Sequence, residues 1–345
     1  MSMPAAITEA VVAIQSGEKL STEQAEAAIA AVLDPAATEV DIACLLTALS
    51  MQETTSHVLA GAARALRSRA VRIQPQSSPL LDTCGTGGTG LSTLNISTAT
   101  AIVAAACGIA VAKHGNRGAT SRSGSADVLE TLGVQLEMPP ERVAACIDAV
   151  GIGFLYARTL HPAMKAVAPT RTRLPFRTIF NLIGPLSNPA GATHQLLGTG
   201  RHEAAVRMAH AAKILGTERT VVVCGDGVLD EVTLSGPTLW HRVEGDEVES
   251  GQWLPADFGL DPVAVDDLMI ETPQQSADLI GRIFVGDDLP AARVVLANAA
   301  AALWTVGAVA NVGEGVAVAA AAIADGRVAA KRDELVAFTR EAASS

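Results

Sequence analysis

Apolar side chains recur at helical spacing through the first 70 residues, without the strict alternation that predicts strands. A capping-box motif, Ser-Thr-Glu-Gln at 21–24, predicts a helix that runs to about residue 33. The same periodicity predicts helices over 41–51 and 56–69. A polar, proline-containing stretch at 74–79 then predicts a linker.

Beyond the linker, short apolar runs alternate with helical periods, which predicts a parallel sheet flanked by helices. Helices are predicted at 97–107, 125–132 and 202–215, and a hairpin at 239–248. The last third of the chain is mostly helical in pattern. The parallel strands are predicted at 80–82, 109–112, 153–157, 195–198 and 220–224.

Prolines and arginines over 169–189 interrupt this alternation, and we expect that stretch to leave the sheet and pack with the N-terminal helices. The predicted fold class is therefore α/β, with a central, mainly parallel sheet in a large domain and a small, mostly helical N-terminal domain. We predict that residues 1–72, joined by 168–190, form the small domain. Residues 77–167 and 191–345 would form the large domain and carry the ligand sites.

Composition narrows the classes of function. Hydrophobic residues make up 49% of the chain and aromatic residues 3%, so the core consists mainly of Ala, Val, Leu and Ile. A net charge of −11 argues against nonspecific binding to nucleic acid or membranes. The five cysteines lack the spacing of a metal site and predict reduced thiols in a cytoplasmic protein. We recognise no export signal at the N-terminus.

Two glycine-bearing loops follow the first two predicted strands, at 85–90 and at 113–118. Glycines let backbone N–H groups approach phosphate oxygens closely, and a helix N-terminus favours negative charge. Lys113 and Arg117 add positive charge to the second loop. Two such loops close together indicate a ligand with two separate phosphate groups, although glycines that only form turns are the structural alternative.

The first loop also fits the dinucleotide-binding pattern G-x-G-x-x-G. That interpretation requires an acidic residue about 20 positions further on, at the end of the next strand. This chain has Lys113 there, preceded by Ala110, Val111 and Ala112, so the acid is missing. No G-x-x-x-x-G-K-[ST] motif is present either, which argues against an ordinary nucleotide P-loop.

Adjacent carboxylates, Asp230 and Glu231, follow the predicted strand at 220–224. The carboxyl ends of parallel strands are where α/β sheets bind their ligands. One or two carboxylates combined with substrate phosphates suit Mg²⁺. The pair therefore predicts a magnesium site beside the loops; a solvated acidic turn is the alternative.

Taken together, these features resemble the anthranilate phosphoribosyltransferase family, which has a nucleoside-phosphorylase-like fold. The likeness extends over nearly the whole chain, and the Lys-His-Gly-Asn-Arg string at 113–117 is highly specific to it. The resemblance implies transfer of phosphoribose from phosphoribosyl pyrophosphate (PRPP) to the amino group of anthranilate, with release of pyrophosphate and assistance by Mg²⁺. It also implies a homodimer formed through the N-terminal helices. The matching strings lie at 85–88, 95–98, 113–117, 123–127, 161–165, 177–181, 184–189 and 230–231.

The resemblance also implies roles for individual residues. The metal ions would be arranged by Ser97, Asp230 and Glu231. Arg171 would meet the anthranilate carboxylate, Asn116 and Gly85 would also touch anthranilate, and the aromatic channel would be lined by His114, His161 and Pro185. The residues expected to hold PRPP are Gly85, Gly88, Thr89, Thr93, Asn95, Ile96, Ser97, Thr98, Lys113, His114, Gly115, Asn116, Arg117, Gly118, Ala119, Thr120, Ser121 and Ser125.

Three positions depart from the usual pattern of this family. Thr89 stands where the family usually has Asp, Pro175 where it usually has Gly, and Cys224 where His is frequent. The loss of a carboxylate at Thr89 is expected to change how the PRPP–metal complex is bound. Proline fixes φ and lacks an N–H, so we expect the loop that carries Arg171 to be stiffer or differently posed.

Two alternative functions are weighed against this one. A pyrimidine nucleoside phosphorylase shares the fold, but its loop typically has Ser-Gly where this chain has Gly115-Asn116. A non-catalytic, nucleic-acid-binding paralogue would have lost the metal carboxylates and would carry a basic surface. The Asp230–Glu231 pair and the acidic charge of the chain favour the catalytic interpretation.

Overall fold

The chain opens with four helices, and side-chain caps fix the N-terminal ends of the second, third and fourth. The computed structural model describes residues 2–118 and 121–343. Ser21 caps α2 by accepting a hydrogen bond from the Gln24 backbone N–H, as the capping-box motif predicts, and Thr38 caps α3 in the same way. These helices are α1 (Ala5–Gln15), α2 (Thr22–Val32), α3 (Glu39–Ser50) and α4 (Ser56–Arg67).

A seven-stranded sheet forms the centre of the described structure, in the order β3-β2-β1-β4-β5-β6-β7. Strands β1 to β5 are parallel, and β6 and β7 form an antiparallel hairpin that turns at Gly245. The predicted α/β fold with a mainly parallel sheet is confirmed. The strands are β1 (Leu80–Gly85), β2 (Ala110–Gly115), β3 (Ile152–Tyr156), β4 (His194–Gly198), β5 (Arg219–Gly225), β6 (Thr238–Glu244) and β7 (Glu247–Trp253).

Helices cover both faces of the sheet, so alternate residues of one strand enter different apolar layers. In β5, Val221 and Val223 pack into the layer that contains α5 and α12, while Val222 and Cys224 pack toward α10 and the N-terminal helices. The helices after β1 are α5 (Ile96–Ala106), α6 (Ser125–Thr131), α7 (Pro140–Val150), α8 (Ala157–Leu160), α9 (Met164–Arg173), α10 (His202–Leu215), α11 (Pro273–Phe284), α12 (Pro290–Thr305), α13 (Val312–Ala324) and α14 (Arg327–Ala343). No helix of the described residues is long and apolar enough to cross a membrane.

The segment between β3 and β4 leaves the sheet and contacts the N-terminal helices. Helix α9 packs on α3, and a 3₁₀ turn at Pro185–Ser187 packs on α4. Arg67 of α4 donates from Nε to the Leu186 carbonyl oxygen at 2.7 Å. Helix α9 continues through Pro169, where the sequence predicts only an interruption. The exact division of the chain into two domains stays a prediction.

Helices α2 and α4 approach each other closely at Gly61. A Cβ added at Gly61 would overlap the Thr22 carbonyl oxygen and would lie 2.8 Å from the Glu26 nitrogen. Both of these are backbone atoms and cannot rotate away. The close contact of the two helices therefore depends on the missing side chain.

We expect Gly61→Ala to lower the free energy of unfolding by about 1–3 kcal/mol, because overpacking forces the helix backbones apart. Gly281→Ala in α11 is the matched control, since a Cβ there meets no atom within 4 Å. That change should stabilise the protein by about 0.5–1 kcal/mol through helix propensity. Thermal and urea unfolding of both variants checks the prediction. A neutral Gly61→Ala would contradict the inferred close packing.

Candidate active site

The candidate site lies where the strand order reverses. From β1 the chain adds β2 and β3 on one side, whereas β4 and β5 extend the sheet on the other. The carboxyl ends of β1 and β4 therefore form the topological switch point, where open α/β sheets bind ligands. A cleft of about 310 Å³ opens there between the loop after β1, the loop after β2 and the loop after β5.

Most of the residues predicted to bind PRPP or metal line this cleft. Thr98, His161, Arg171 and Pro185 are not among the lining residues. Ala119 and Thr120 lie outside the described residues. The predicted residues in the lining are Gly85, Gly88, Thr89, Thr93, Asn95, Ile96, Ser97, Lys113, His114, Gly115, Asn116, Arg117, Gly118, Ser121, Ser125, Asp230 and Glu231.

The carboxylate pair is held at the floor of the cleft by backbone N–H groups. Asp230 Oδ2 accepts a 2.7 Å hydrogen bond from the Gly87 N–H, and Glu231 Oε1 accepts one of 3.1 Å from the Ser97 N–H at the start of α5. A Cβ at Gly85 would overlap the Asp230 carboxylate, and a Cβ at Gly198 would overlap the Asp230 main chain. Glycines at the ends of β1 and β4 thus make room for the acidic residue.

Burial raises the pKa of Asp230, although the Gly87 N–H acts in the opposite direction. Burial raises the pKa of Glu231 to about 8, and repulsion from Asp230 adds to the shift. Both carboxylates are therefore destabilised in their charged form, and a cation between them would relieve this.

This donor set fits Mg²⁺. The described residues contain no cluster of three or more His, Cys, Asp or Glu side chains arranged around a metal position. Magnesium is usually bound by one or two carboxylates, and substrate phosphates and water fill the other positions. Asp230, Glu231 and the nearby Ser97 hydroxyl could supply the protein part of such a sphere.

Lys113 lines the cleft, but the residue is almost fully buried. Its buried ammonium group donates a hydrogen bond to the Thr83 carbonyl oxygen and lies 3.4 Å from Ser97 Oγ. Burial raises the pKa of both Glu231 and Asp82, and the positive charge of Lys113 acts to lower it. Lys113 thus compensates the negative charge around the start of α5.

An arginine that was not predicted as a site residue supports the first loop. Arg177 donates hydrogen bonds to the carbonyl oxygens of Gly87 and Gly88, at 3.3 and 3.1 Å, and lines the cleft with Asn181. Gly88 has a φ of +69°, and a Cβ there would meet the Arg177 guanidinium. The only signal in the sequence is the family-like string at 177–181, which contains both residues.

In the second loop, Arg117 forms ion pairs with acidic residues of helix α6. Its guanidinium contacts Asp127 at 2.9 Å and Glu130 at 2.8 Å. Asp127 also accepts hydrogen bonds from the Gly118 and Gly124 N–H groups, each at 2.9 Å. Burial acts to raise the pKa of Asp127, but these N–H groups and Arg117 outweigh it and the pKa is lowered. The arginine therefore shapes the loop in this structure.

Asn95 joins the two loops. Its Nδ2 donates to the Ser123 carbonyl oxygen at 3.1 Å, and its Oδ1 accepts from the hydroxyls of Ser123 and Ser276. Its Oδ1 and one of its two N–H donors therefore connect the segment after the first loop to the segment after the second.

Two histidines meet behind the second loop. The Nε2 atoms of His114 and His161 are 3.1 Å apart, and both rings are buried. Burial lowers the pKa of His161 to about 4 and moves the pKa of His114 well below its usual value. Both rings are therefore neutral near pH 7. His161 Nδ1 is buried without a hydrogen-bond partner among the described residues.

Arg171 lies in the last turn of helix α9, not in a loop as the sequence predicts, and it stands apart from these networks. Its guanidinium carbon lies 5.3 Å from the centre of the Phe180 ring, and burial lowers its pKa. Among the described residues, it forms no hydrogen bond or ion pair. Phe180 precedes the cleft residue Asn181, so this half-buried arginine is available for an anion near the cleft.

Comparison with known proteins gives a consistent result. Residues 8–70 match the model described as "Glycosyl transferase family, helical bundle domain", and residues 77–329 match "Glycosyl transferase family, a/b domain". An anthranilate phosphoribosyltransferase from Rhodopirellula baltica is 48% identical over 316 residues, which cover 92% of this chain and 92% of the relative.

Solved structures extend the likeness to three dimensions. The crystal structure of anthranilate phosphoribosyltransferase from Thermus thermophilus gives a TM-score of 0.91 at 41% identity and covers 98% of this chain and 100% of that chain. The Saccharomyces cerevisiae enzyme in complex with PRPP and Mg gives a TM-score of 0.89 at 26% identity, with 98% of each chain covered. The chain described here belongs to the anthranilate phosphoribosyltransferase family.

Proposed function

We propose that this chain is a glycosyltransferase that moves the 5-phosphoribosyl group of PRPP to the amino group of anthranilate, with release of pyrophosphate, in tryptophan biosynthesis. The observation that carries the proposal is the Asp230–Glu231 pair, held between the two glycine loops at the switch point of the sheet. A donor with two phosphate groups and a magnesium-bound diphosphate suits this arrangement. The fold and the family membership support the same reaction.

The donor half of the proposed site consists of backbone N–H groups and carboxylates. The loops at 85–90 and 113–118 would receive the phosphate groups, with Thr93 and the start of α5 between them. Ser97, Asp230 and Glu231 would hold Mg²⁺ against the pyrophosphate. Because the ammonium of Lys113 contacts Thr83 and Ser97, we assign it a compensating role beneath the phosphates.

The acceptor half needs one positive charge and a neutral, partly apolar channel. Arg171 would orient anthranilate through its carboxylate, since its planar guanidinium can form two parallel hydrogen bonds. His114 and His161 are neutral rings and would contact the aromatic ring without attracting a second anion. Pro185 is buried in the 3₁₀ turn of the returning segment, and its carbonyl oxygen accepts from Gln195 Nε2 at 2.8 Å.

The chemistry follows from charge development in the transition state. Cleavage of the bond between C1 and pyrophosphate leaves positive charge on the ribose and negative charge on the leaving group. Mg²⁺, when bound, would stabilise that leaving charge. Preorganised N–H groups of the two loops would act on the same charge. Anthranilate carries a neutral amine, so alignment with C1 by Arg171 supplies much of the rate enhancement.

We further propose that the chain forms a homodimer through α1 and α3. Val40 and Met51 are 71% and 81% exposed on this face, beside an apolar groove of about 880 Å³. Exposed apolar surface of this kind marks protein interfaces. A cytoplasmic location is also proposed, because all five cysteines are unpaired, as is typical of a reducing compartment.

We expect Arg171→Ala to raise the KM for anthranilate by about tenfold to a hundredfold, the effect of losing hydrogen bonds to a charged group. The KM for PRPP should change little. Loss of anthranilate fluorescence, followed with and without PRPP and Mg²⁺, measures both constants. Arg173→Ala is the control, because Arg173 lies on the same helix as Arg171 and its exposed ion pair with Glu39 of α3 contributes little. Equal effects of the two substitutions would contradict the assigned role.

We expect Asp230→Asn and Glu231→Gln each to raise the Mg²⁺ concentration for half-maximal activity by more than about tenfold, since even outer-shell partners of a metal contribute about 10–100-fold. Activity at saturating PRPP, titrated with Mg²⁺, measures the shift. Asp226→Asn removes the same charge from an exposed position in the preceding turn and serves as the control. An unchanged Mg²⁺ dependence in Asp230→Asn and Glu231→Gln would disprove the metal assignment.

The double substitution Val40→Glu and Met51→Glu is expected to convert the dimer to a monomer, because it buries charge in an apolar interface. Sedimentation velocity should show the species of twice the chain mass disappear. Val285→Glu, at a 65% exposed position far along the chain, should leave the dimer intact. A wild-type protein that sediments as a monomer would exclude the proposed dimer.

A further inference from the structure

A second cavity, of about 420 Å³, lies where the chain passes between the N-terminal helices and the sheet. Residues 68–79 lead from α4 into β1, and residues 188–193 lead back from the Pro185–Ser187 turn into β4. Both connections contribute to its wall. Since these segments precede β1 and β4, the cavity lies at the opposite edge of the sheet from the active-site cleft.

Arginines dominate this cavity, and none of the described residues that line it is acidic. Arg64 and Arg67 project from the last turn of α4, and Arg72 follows in the connection. This is an unusual concentration of positive charge for a chain with a net charge of −11. The other lining residues are Ser68, Ile73, Gln74, Asn188, Pro189, Ala190 and Gly191.

The positive charges are largely uncompensated. Arg67 uses Nε to bind the Leu186 carbonyl oxygen, and it forms no ion pair among the described residues. Burial lowers its pKa. Arg72 is exposed and has no hydrogen bond or ion pair in the described part of the chain. Among the described residues, Arg64 is the one arginine of the three that meets a carboxylate, that of Glu23 at 3.9 Å.

A purely structural role explains part of this cluster. Arginines in the last turn of a helix interact favourably with the helix dipole, and Arg64 also donates to the Ile214 carbonyl oxygen at 3.1 Å. That role does not extend to Arg72, which lies beyond the helix. The helix dipole also does not explain Arg67, whose terminal nitrogens have no hydrogen-bond partner among the described residues and lie beside an open cavity.

We propose that this cavity binds a small phosphate oxyanion between Arg64, Arg67 and Arg72. The planar guanidinium forks suit phosphate oxygens, and three of them match an anion of more than one negative charge. Such a ligand joins α4 to the segment at 188–191, and so links the N-terminal helices to the sheet at the connections between them. The proposal is independent of turnover in the cleft.

Hydrogen exchange measured by mass spectrometry can locate the anion. Inorganic phosphate is titrated against the full-length protein at constant ionic strength, with chloride as the reference salt. We expect saturable protection of peptides that cover 68–74 and 188–191. Phosphate bound in the active-site cleft is recognised separately, through peptides that cover 85–97 and 121–125. Parallel titrations with pyrophosphate and with ribose 5-phosphate show which of the phosphate compounds binds most tightly.

Arg72→Gln is the decisive variant, because its side chain is exposed and holds no structural contact among the described residues. It should weaken the protection at 68–74 and 188–191 by about tenfold or more, as expected for losing a hydrogen bond between charged groups. Protection of the active-site peptides 85–97 and 121–125 from hydrogen exchange should stay unchanged. Lys19→Gln, which removes an exposed charge from the same helical region, should behave as wild type. Absence of protection in the wild type, or equal affinity in Arg72→Gln, would overturn the proposal.

Discussion

The placement of two adjacent carboxylates at the switch point of the sheet is the constraint on which the rest of the site depends. Asp230 fits only because β1 and β4 end in Gly85 and Gly198, where a Cβ would overlap it. Its carboxylate then accepts a hydrogen bond from the loop after β1, and Glu231 accepts one from the first turn of α5. The same glycines that open the cleft to a ligand therefore also fix the position of the acids.

The positive side chains around the cleft act mainly on the protein itself. Arg117 binds Asp127 and Glu130, Arg177 binds the carbonyl oxygens of the first loop, and Lys113 lies beneath α5. In the proposed function, contact with phosphate would thus fall chiefly to backbone N–H groups, which are fixed in direction and would need no reorganisation during reaction. An acidic protein can in this way hold an anionic donor without a strongly basic surface.

Sequence patterns predicted those parts of the structure that depend on interactions between residues close together in the chain. The parallel strands, the hairpin and the capped N-terminal helices follow from periodicity and capping residues, and the loops and carboxylates follow from their places at strand ends. The pattern did not predict that α9 would continue through Pro169, because tertiary packing against α3 outweighs the local preference of proline.

Contacts between residues far apart in the chain were also not predicted from the sequence. The role of Arg177 depends on contacts about 90 positions away, and no local pattern could pair it with Gly87 and Gly88. Arg117 carries the charge expected of a phosphate ligand, and only the fold shows that acidic residues of α6 engage it.

The most direct test of this account is the position of the metal. Crystals grown with PRPP and Mn²⁺ in place of Mg²⁺ would give an anomalous signal at the metal alone. The account predicts a peak within about 2.5 Å of carboxylate oxygens of Asp230 or Glu231 and of pyrophosphate oxygens. PRPP bound in the cleft with its metal held by other residues, or without a metal, would contradict it.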